Sequence, residues 1–289
     1  MRHVHSELSY LGRSVGVLFG VISVLQSWII KYKASSVVIC WDGGTPNFRT
    51  KLVPSYKAHR DHGDDPTFLQ FVDQLEELRW FLPAFGVCQL HRRGIEADDL
   101  VYHASRLVVA DNMLVVSNDY DLLQVLDSHV HLLRGDQIVT LEDFVDDILG
   151  FPRDRFLEWR ALMGDGSDGI PGVRGVGPVY ATKYVLSSNH VLRGDLSRRI
   201  QEFRDSGGMD KAIRCMDLSG DLSGSRYEIA NVTCGKFSKS RAVKWCLGNG
   251  FASILENGFK GFDTLIAPAF SIAGVRCPRV WDYKRFPAG

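Results

Sequence analysis

At 289 residues the chain is longer than a typical single domain, and a 45% hydrophobic content is ample for a buried core, so one larger and one smaller domain are expected. Formal net charge is zero, and the longest apolar-looking stretch, Val15 to Ile30, is broken by Gly16, Gly20, Ser23, Gln26 and Ser27, which excludes a membrane-spanning helix there. Residues 1–10 lack the apolar core of a secretory signal, and Cys40, Cys88, Cys215, Cys234, Cys246 and Cys277 show no CxxC spacing, so a cytoplasmic chain of reduced thiols is expected, with neither a zinc site nor a disulfide framework. Val15 to Ile30 reads instead as a core-facing helix. Val37 to Trp41 (VVICW) is a short β-branched run ending in Asp42 and Gly43, as a buried parallel strand would. Helical patterns follow at Phe68 to Phe81 and Ala97 to Val109, with a short strand near Val87 to Leu90 between them. Met113 to Ser117 (MLVVS) repeats the strand plan and ends in Asn118 and Asp119. His129 to Leu133 and Gln137 to Thr140 predict a hairpin turning at Gly135 and Asp136, and Thr140 with Asp143 predicts a helix cap. From Phe156 the pattern is helical, interrupted by the glycine-rich stretch Gly164 to Gly177, and a domain boundary is placed near Phe151 and Pro152. Ser219 to Ser225 reads as a loop. Alternating strands and helices predict an α/β fold with a mostly parallel sheet, whose ligands lie beyond the carboxyl ends of the strands, where Asp42 and Asp119 fall.

Eight carboxylates stand in four short clusters: Asp42; Glu96, Asp98 and Asp99 (GIEADD); Asp119 and Asp121 (SNDYD); Asp165 and Asp168 (GDGSDGIPG). Gathering them would cost several kcal/mol of repulsion and desolvation unless cations neutralised them. Hard oxygen ligands select magnesium or manganese over zinc, and two such ions about 4 Å apart suit hydrolysis of a phosphodiester. Each cluster also has a plainer reading. Acidic residues opening a helix at Glu96 to Asp99 favour its dipole, Asp119 and Asp121 are turn formers after a strand, and Asp165 and Asp168 sit among loop glycines.

Residues 1–170 hold 16 basic against 24 acidic residues, and residues 171–289 hold 18 against 10. An acidic first part would suit metal chelation and a basic second part phosphate binding. Within the acidic part, FRTKLVPSYKAHR supplies Arg49, Lys51, Tyr56, Lys57 and Arg60. These form either a solvated helix face or a DNA contact, with Lys57 and Arg60 one turn apart on the scissile phosphate, Arg49 beside them, and the Tyr56 ring stacking on a base. Gly172, Gly175 and Gly177 precede a helical pattern, where backbone amides could approach a phosphate without reading bases.

In order and spacing, WDGG, FR, YKAHR, GIEADD, SNDYDLLQ and GDGSDGIPGVRGVG resemble the 5′ nuclease family of flap endonucleases, phage 5′-to-3′ exonucleases and the 5′ nuclease domain of bacterial DNA polymerase I. The resemblance spans about residues 12 to 190 and matches the remainder only loosely, as at GFASIL. It implies a PIN-like (Rossmann-like) catalytic domain over 1–150 and a helical C-terminal region over 151–289 with a helix-hairpin-helix DNA-binding element at Phe156 to Leu186. It implies two Mg2+ or Mn2+ ions, the first held by Asp42, Glu96 and Asp98 with Asp99 behind them, the second by Asp119, Asp121 and Asp165, with Asp168 acting through water. Lys57 and Arg60 match the family's catalytic phosphate-contacting cations at the foot of an arch within about Tyr56 to Pro83. The glycine hairpin matches an element that grips duplex phosphates around K+. The implied partner is DNA with 5′ flaps or 5′ ends, or RNA–DNA primers, met by a monomer in a bacterial or phage-infected cytoplasm, with no membrane partner.

Family members begin with a strand ending in aspartate, ahead of the helix corresponding to Val15 to Tyr32, and the chain is expected to start too late to contain it. Pro178 and Tyr180 stand where the family carries a lysine after the hairpin glycines, leaving Lys183 as the nearest substitute. The expected activity is therefore metal-dependent 5′-to-3′ exonuclease and flap endonuclease action. The alternatives are a non-catalytic binder of branched DNA and an unrelated magnesium phosphoesterase acting on RNA or small substrates.

Overall fold

The computed structural model describes residues 8–59, 65–145, 150–187, 194–220 and 232–270. Arg60, Cys277 and most of the loop expected at Ser219 to Ser225 lie outside them. A short hairpin pairs Ser9–Tyr10 with Arg13–Ser14. Helix α1 (Gly16–Tyr32) follows because Leu18, Ile22, Leu25 and Ile29 recur on one buried face, and it stops where Lys33 turns left-handed and its amide reaches back to the Ile29 and Ile30 carbonyls. Next come β1 (Val38–Trp41), α2 (Asn47–Leu52) and α3 (Pro66–Phe81), which opens with the Asp65 side chain accepting from the Thr67 amide and Pro66 in the first turn. Then follow β2 (Cys88–His91), α4 (Ala97–Leu107), β3 (Met113–Val116), a 3-10 turn (Asp121–Val125), and β4 (Val130–Arg134) with β5 (Gln137–Val139). Thr140 and Asp143 form the reciprocal cap that their spacing predicts. Helices α5 (Phe156–Met163), α6 (Pro178–Leu186), α7 (Asp195–Asp205) and α8 (Gly208–Met216) precede β6 (Val232–Thr233) and α9 (Lys239–Gly248).

Two compact units interleave along the chain. One takes residues 1–41, 62–92 and 228–289. Its sheet runs β1–β2–β6, with Val38 parallel to and opposite Cys88, and β6 antiparallel to β2. Leu18, Ile22, Leu78, Phe85 and Trp245 lie in its core. Arg13 and the Trp245 indole both reach Glu77, at 2.7 and 2.8 Å. Cys88 and Cys234 are joined by a disulfide, which corrects the expectation of reduced thiols throughout. The pairing of β2 with β6 brings together cysteines 146 residues apart, and no local spacing reveals that.

The other unit takes residues 42–61 and 93–227. Its sheet runs β3–β4–β5, with Val115 parallel to and opposite Leu132 and β5 closing an antiparallel hairpin. Besides two-stranded pairings, the described strands thus form two three-stranded sheets, each with one parallel and one antiparallel pair, where one mostly parallel sheet is expected from the sequence. Leu123, Leu132, Phe144, Phe156, Trp159 and Met216 share this unit's core. The boundary expected at Phe151 and Pro152 falls inside it. Phe151 and Phe156 pack on Trp159, and Phe156 also meets Tyr120 and Phe144, so aromatic packing runs across that point. No helix among the described residues is long and apolar enough to cross a membrane.

Candidate active site

The site is built in the second unit, around the start of α4. Glu96 precedes the helix in extended conformation and is 4% exposed; instead of capping the helix, its carboxylate turns inward. One oxygen accepts from Arg49 Nη1 at 2.5 Å and from the Tyr56 hydroxyl at 2.7 Å, and the other from Lys57 Nζ. Arg49, on α2, also grips both oxygens of Asp99 at 2.6 Å, and its Nε donates to the Cys215 carbonyl of α8 at 2.8 Å. Burial alone would lower the Arg49 pKa, but the hydrogen bond and charge of Asp99 outweigh it and hold the guanidinium firmly protonated.

Two expectations change here. Arg49 and Tyr56, read from the sequence as DNA contacts, are only 2% and 5% exposed, and their donors are committed to Glu96 and Asp99. A carboxylate sunk in a core needs such donors, which is why these side chains point inward. Burial and the charge of Glu96 push the Tyr56 hydroxyl pKa up, so it stays a donor.

Lys57 is held by the glycine loop. Its amide donates to the Asp168 carbonyl at 2.8 Å, the Ser55 hydroxyl donates to the Gly169 carbonyl at 2.7 Å, and Lys57 Nζ lies 3.7 Å from the Asp168 carboxylate. Gly169 permits this approach: it has φ +71°, and a Cβ there would lie 2.2 Å from the Ser55 carbonyl oxygen. Gly172 is needed for a similar reason, since its Cβ would fall 2.2 Å from the Met163 backbone where the loop recrosses the end of α5. Its smallness thus serves the packing of the loop on the helix end. Gly175 (φ +84°) and Gly177 lie in the turn that leads into α6, Gly177 immediately before it, and Lys183 is exposed on that helix.

Glu96, Asp98, Asp119, Asp121 and Asp168 line one cleft with Lys57; Asp42, Asp99 and Asp165 do not. Asp98 carries an acid pushed up to about 7, first by burial and then by the charge of Asp119. The Asp119 carboxylate accepts from the Asp121 amide at 2.8 Å, shaping the turn after β3. Burial raises the Asp121 pKa against the pull of Arg160, whose Nε donates to it at 2.8 Å. The same arginine donates to Asp165 at 2.7 Å, while the other Asp165 oxygen accepts from the Ser167 amide and hydroxyl and the Asp168 amide. Burial works to raise the Asp165 pKa, but these hydrogen bonds prevail and hold it below the ordinary carboxylate range. Asp42 is exposed after β1 and accepts from the Gly44 amide at 2.7 Å; Gly43 beside it exchanges backbone hydrogen bonds with Gly94 and Ile95, just ahead of Glu96.

Among the described residues no group of three or more His, Cys, Asp or Glu side chains stands ready to hold a metal ion. Arg49, Lys57 and Arg160 engage the oxygens of Glu96, Asp99, Asp121 and Asp165. The donor chemistry still fits a hard divalent cation. The acidic lining is all oxygen, and the raised acid of Asp98 beside Asp119 marks negative potential that a cation would relieve.

A family model described as the 5′-3′ exonuclease N-terminal resolvase-like domain matches residues 3–148, half of the chain. The chain belongs to the 5′-3′ exonuclease family. It is 34% identical over 187 residues to a 5′-3′ exonuclease of Mycobacterium tuberculosis, covering 57% of this chain and 59% of that protein. It is also 34% identical over 173 residues to a DNA polymerase I of Treponema pallidum, covering 58% of this chain and 17% of that protein. The chain thus spans less than two thirds of the length of these relatives. Among solved structures, the bacteriophage T5 D15 flap endonuclease superposes with a TM-score of 0.59 at 22% identity, over 68% of this chain and 79% of that one. Flap endonuclease-1 from Methanococcus jannaschii gives 0.58 at 15% identity, over 91% and 87%. The fold is accordingly the PIN-like α/β fold of these exonucleases and flap endonucleases.

Within this exonuclease fold, Arg160 is the site residue that sequence reasoning missed. It is the one basic residue in the run FLEWRALM and stands five positions before Asp165, a faint signal on a helix that otherwise reads as core. Arg60 lies outside the described residues.

Proposed function

We propose that this chain is a divalent-metal-dependent 5′ nuclease, acting as 5′-to-3′ exonuclease and 5′-flap endonuclease on branched or nicked DNA in replication or repair. The observation that carries this reading is the cleft in which Glu96, Asp98, Asp119, Asp121 and Asp168 gather around Lys57. The T5 enzyme of the same fold is known in complex with DNA and metal ions, which supports the substrate and the cations. Asp98, Asp119 and Asp121, with Glu96 and Asp168 and with Asp42 alongside, would hold two Mg2+ or Mn2+ ions, while Asp99 and Asp165 act as their supports. Such ions supply Lewis-acid activation of the phosphate and of water at neutral pH.

The chain's own groups do the rest. Lys57, pinned by its amide to Asp168, presents an ammonium group at the cleft that donates to a non-bridging phosphate oxygen and offsets the charge growing there. Arg60 extends that contact. The turn at Gly175 and Gly177, with Lys183 exposed on the helix that follows, grips duplex phosphates without reading bases, with K+ as its ion. The unit that carries the cleft also carries the DNA-gripping turn, and the chain works as a monomer in the cytoplasm on 5′ flaps, 5′ ends or RNA–DNA primers.

Cleavage of a labelled 5′-flap duplex by the full chain in Mg2+ or Mn2+, abolished by EDTA, is the expected result. Tight flap binding without cleavage and without metal dependence would replace this reading with that of a branched-DNA binder. Hydrolysis confined to RNA or small phosphoesters would make it a different phosphoesterase.

A further inference from the structure

Arg160 is the least expected charge near the cleft. It rises from α5, a helix whose Phe156, Trp159, Ala161 and Leu162 are buried, and its own side chain is only 12% exposed. The guanidinium joins two separate elements, donating through Nε to Asp121 at the start of the 3-10 turn and through Nη2 to Asp165 in the glycine loop. The Tyr120 ring lies 5.7 Å from it, so the fork is steadied by an aromatic face as well as by two carboxylates. With this contact Asp165 has hydrogen-bond donors on both oxygens. Any divalent cation that took Asp121 or Asp165 as a ligand would compete with a fixed positive charge for the same oxygens.

We propose that Arg160 is a built-in counter-ion that sets the metal affinity of the Asp121–Asp165 side of the cleft, holding these carboxylates in place and keeping cation binding weak. The proposal rests on the metal-dependent reading above and adds a positioning residue to it. A cation that binds on this side must displace the Arg160 contacts to Asp121 and Asp165 against its positive charge, which moves half-occupancy to higher free metal. Lys57 stands in a comparable relation to Glu96 and Asp168.

The test is Mn2+ binding to the full chain by calorimetry, with thermal melts in EDTA and in Mn2+. Arg160→Met removes a unit charge a few ångströms from the ligands, so Mn2+ should bind about tenfold more tightly. Its melting temperature should fall in EDTA and recover more on adding Mn2+ than the wild type gains. Arg160→Lys, which restores a charge, should return the affinity toward wild type. If Arg160→Met does not fold, Arg160→Gln carries the same test. A purely architectural Arg160 would lower the melting temperature without changing Mn2+ affinity, and unchanged or weaker Mn2+ binding in a folded variant overturns the proposal. Wild-type protein that cleaves a flap in Mn2+ while the variant binds Mn2+ no more tightly would sink this inference and leave the nuclease reading standing. Wild-type protein that neither binds Mn2+ nor cleaves would sink both.

Discussion

Two neighbouring stretches of the GIEADD motif behave in opposite ways. Glu96 and Asp99 are buried and held by donors from Arg49, Tyr56 and Lys57, forming a knot that ties α2, α4 and α8 together, with Glu96 still lining the edge of the cleft. Asp98, between them in sequence, faces the cleft beside Asp119, and its acid is pushed up to about 7 by burial and by that neighbouring charge. The helical turn separates the roles: with about 100° between successive residues, one side of the first turn of α4 is driven into the core and the other is left on the cleft. One run of acidic residues therefore supplies both the fastening of the site and its unneutralised charge.

Breaking the fastening should have the largest effect. Arg49→Met leaves Asp99 without its bidentate partner and Glu96 short of one donor, so the chain should lose about 3–5 kcal/mol of stability, the usual cost of stranding a buried charge. Urea denaturation monitored by tryptophan fluorescence measures it. A loss below about 1 kcal/mol would mean that the knot is not a structural fastening and that Arg49 is free for another use.

On the cleft side the balance should reverse. Asp119→Ala removes an exposed carboxylate that faces Asp98, so stability should hold or rise slightly while flap cleavage in Mg2+ falls about 100-fold or more, with flap binding in EDTA unchanged. Parallel loss of binding and cleavage would place Asp119 among the DNA contacts and erase the difference between the two sides.

The sequence made the acidic clusters and their order legible because carboxylates after strands and at helix starts are visible as residue types in local context. It did not reveal which of them would be buried. Arg49 and Tyr56 looked like surface groups because their partners, Glu96 and Asp99, lie 40 and 50 residues away, and only the packing of α2 on α8 draws them inward. Arg160 is faint in the sequence for the same reason: a single cation on a core helix means little until Asp121, 39 residues earlier, folds against it. The strands, the hairpin and the Thr140 cap were readable because turn chemistry and periodicity are local. The Cys88–Cys234 bond and the single core spanning Phe151 were not, since both depend on contacts between distant segments.

The most diagnostic effect concerns pH. In the folded protein Asp98 has its acid raised to about 7, whereas an unfolded aspartate titrates near 4. A group whose folded pKa is raised contributes its stability in full below the unfolded value and loses it as pH climbs through the folded value. Asp98 should therefore weaken the protein progressively between about pH 4 and pH 7 in EDTA, through its burial first and then the field of Asp119, opposed by Lys57 and reinforced by Glu96 and Asp99. Asp98→Asn keeps the shape and removes the charge, so the variant should melt higher than wild type at pH 8 and alike at pH 4. Mn2+ should close the gap at pH 8 by stabilising the wild-type carboxylate. A gap of the same size at both pH values would show that Asp98 is already neutralised by the protein, as Glu96 and Asp99 are, and the contrast within the motif would disappear.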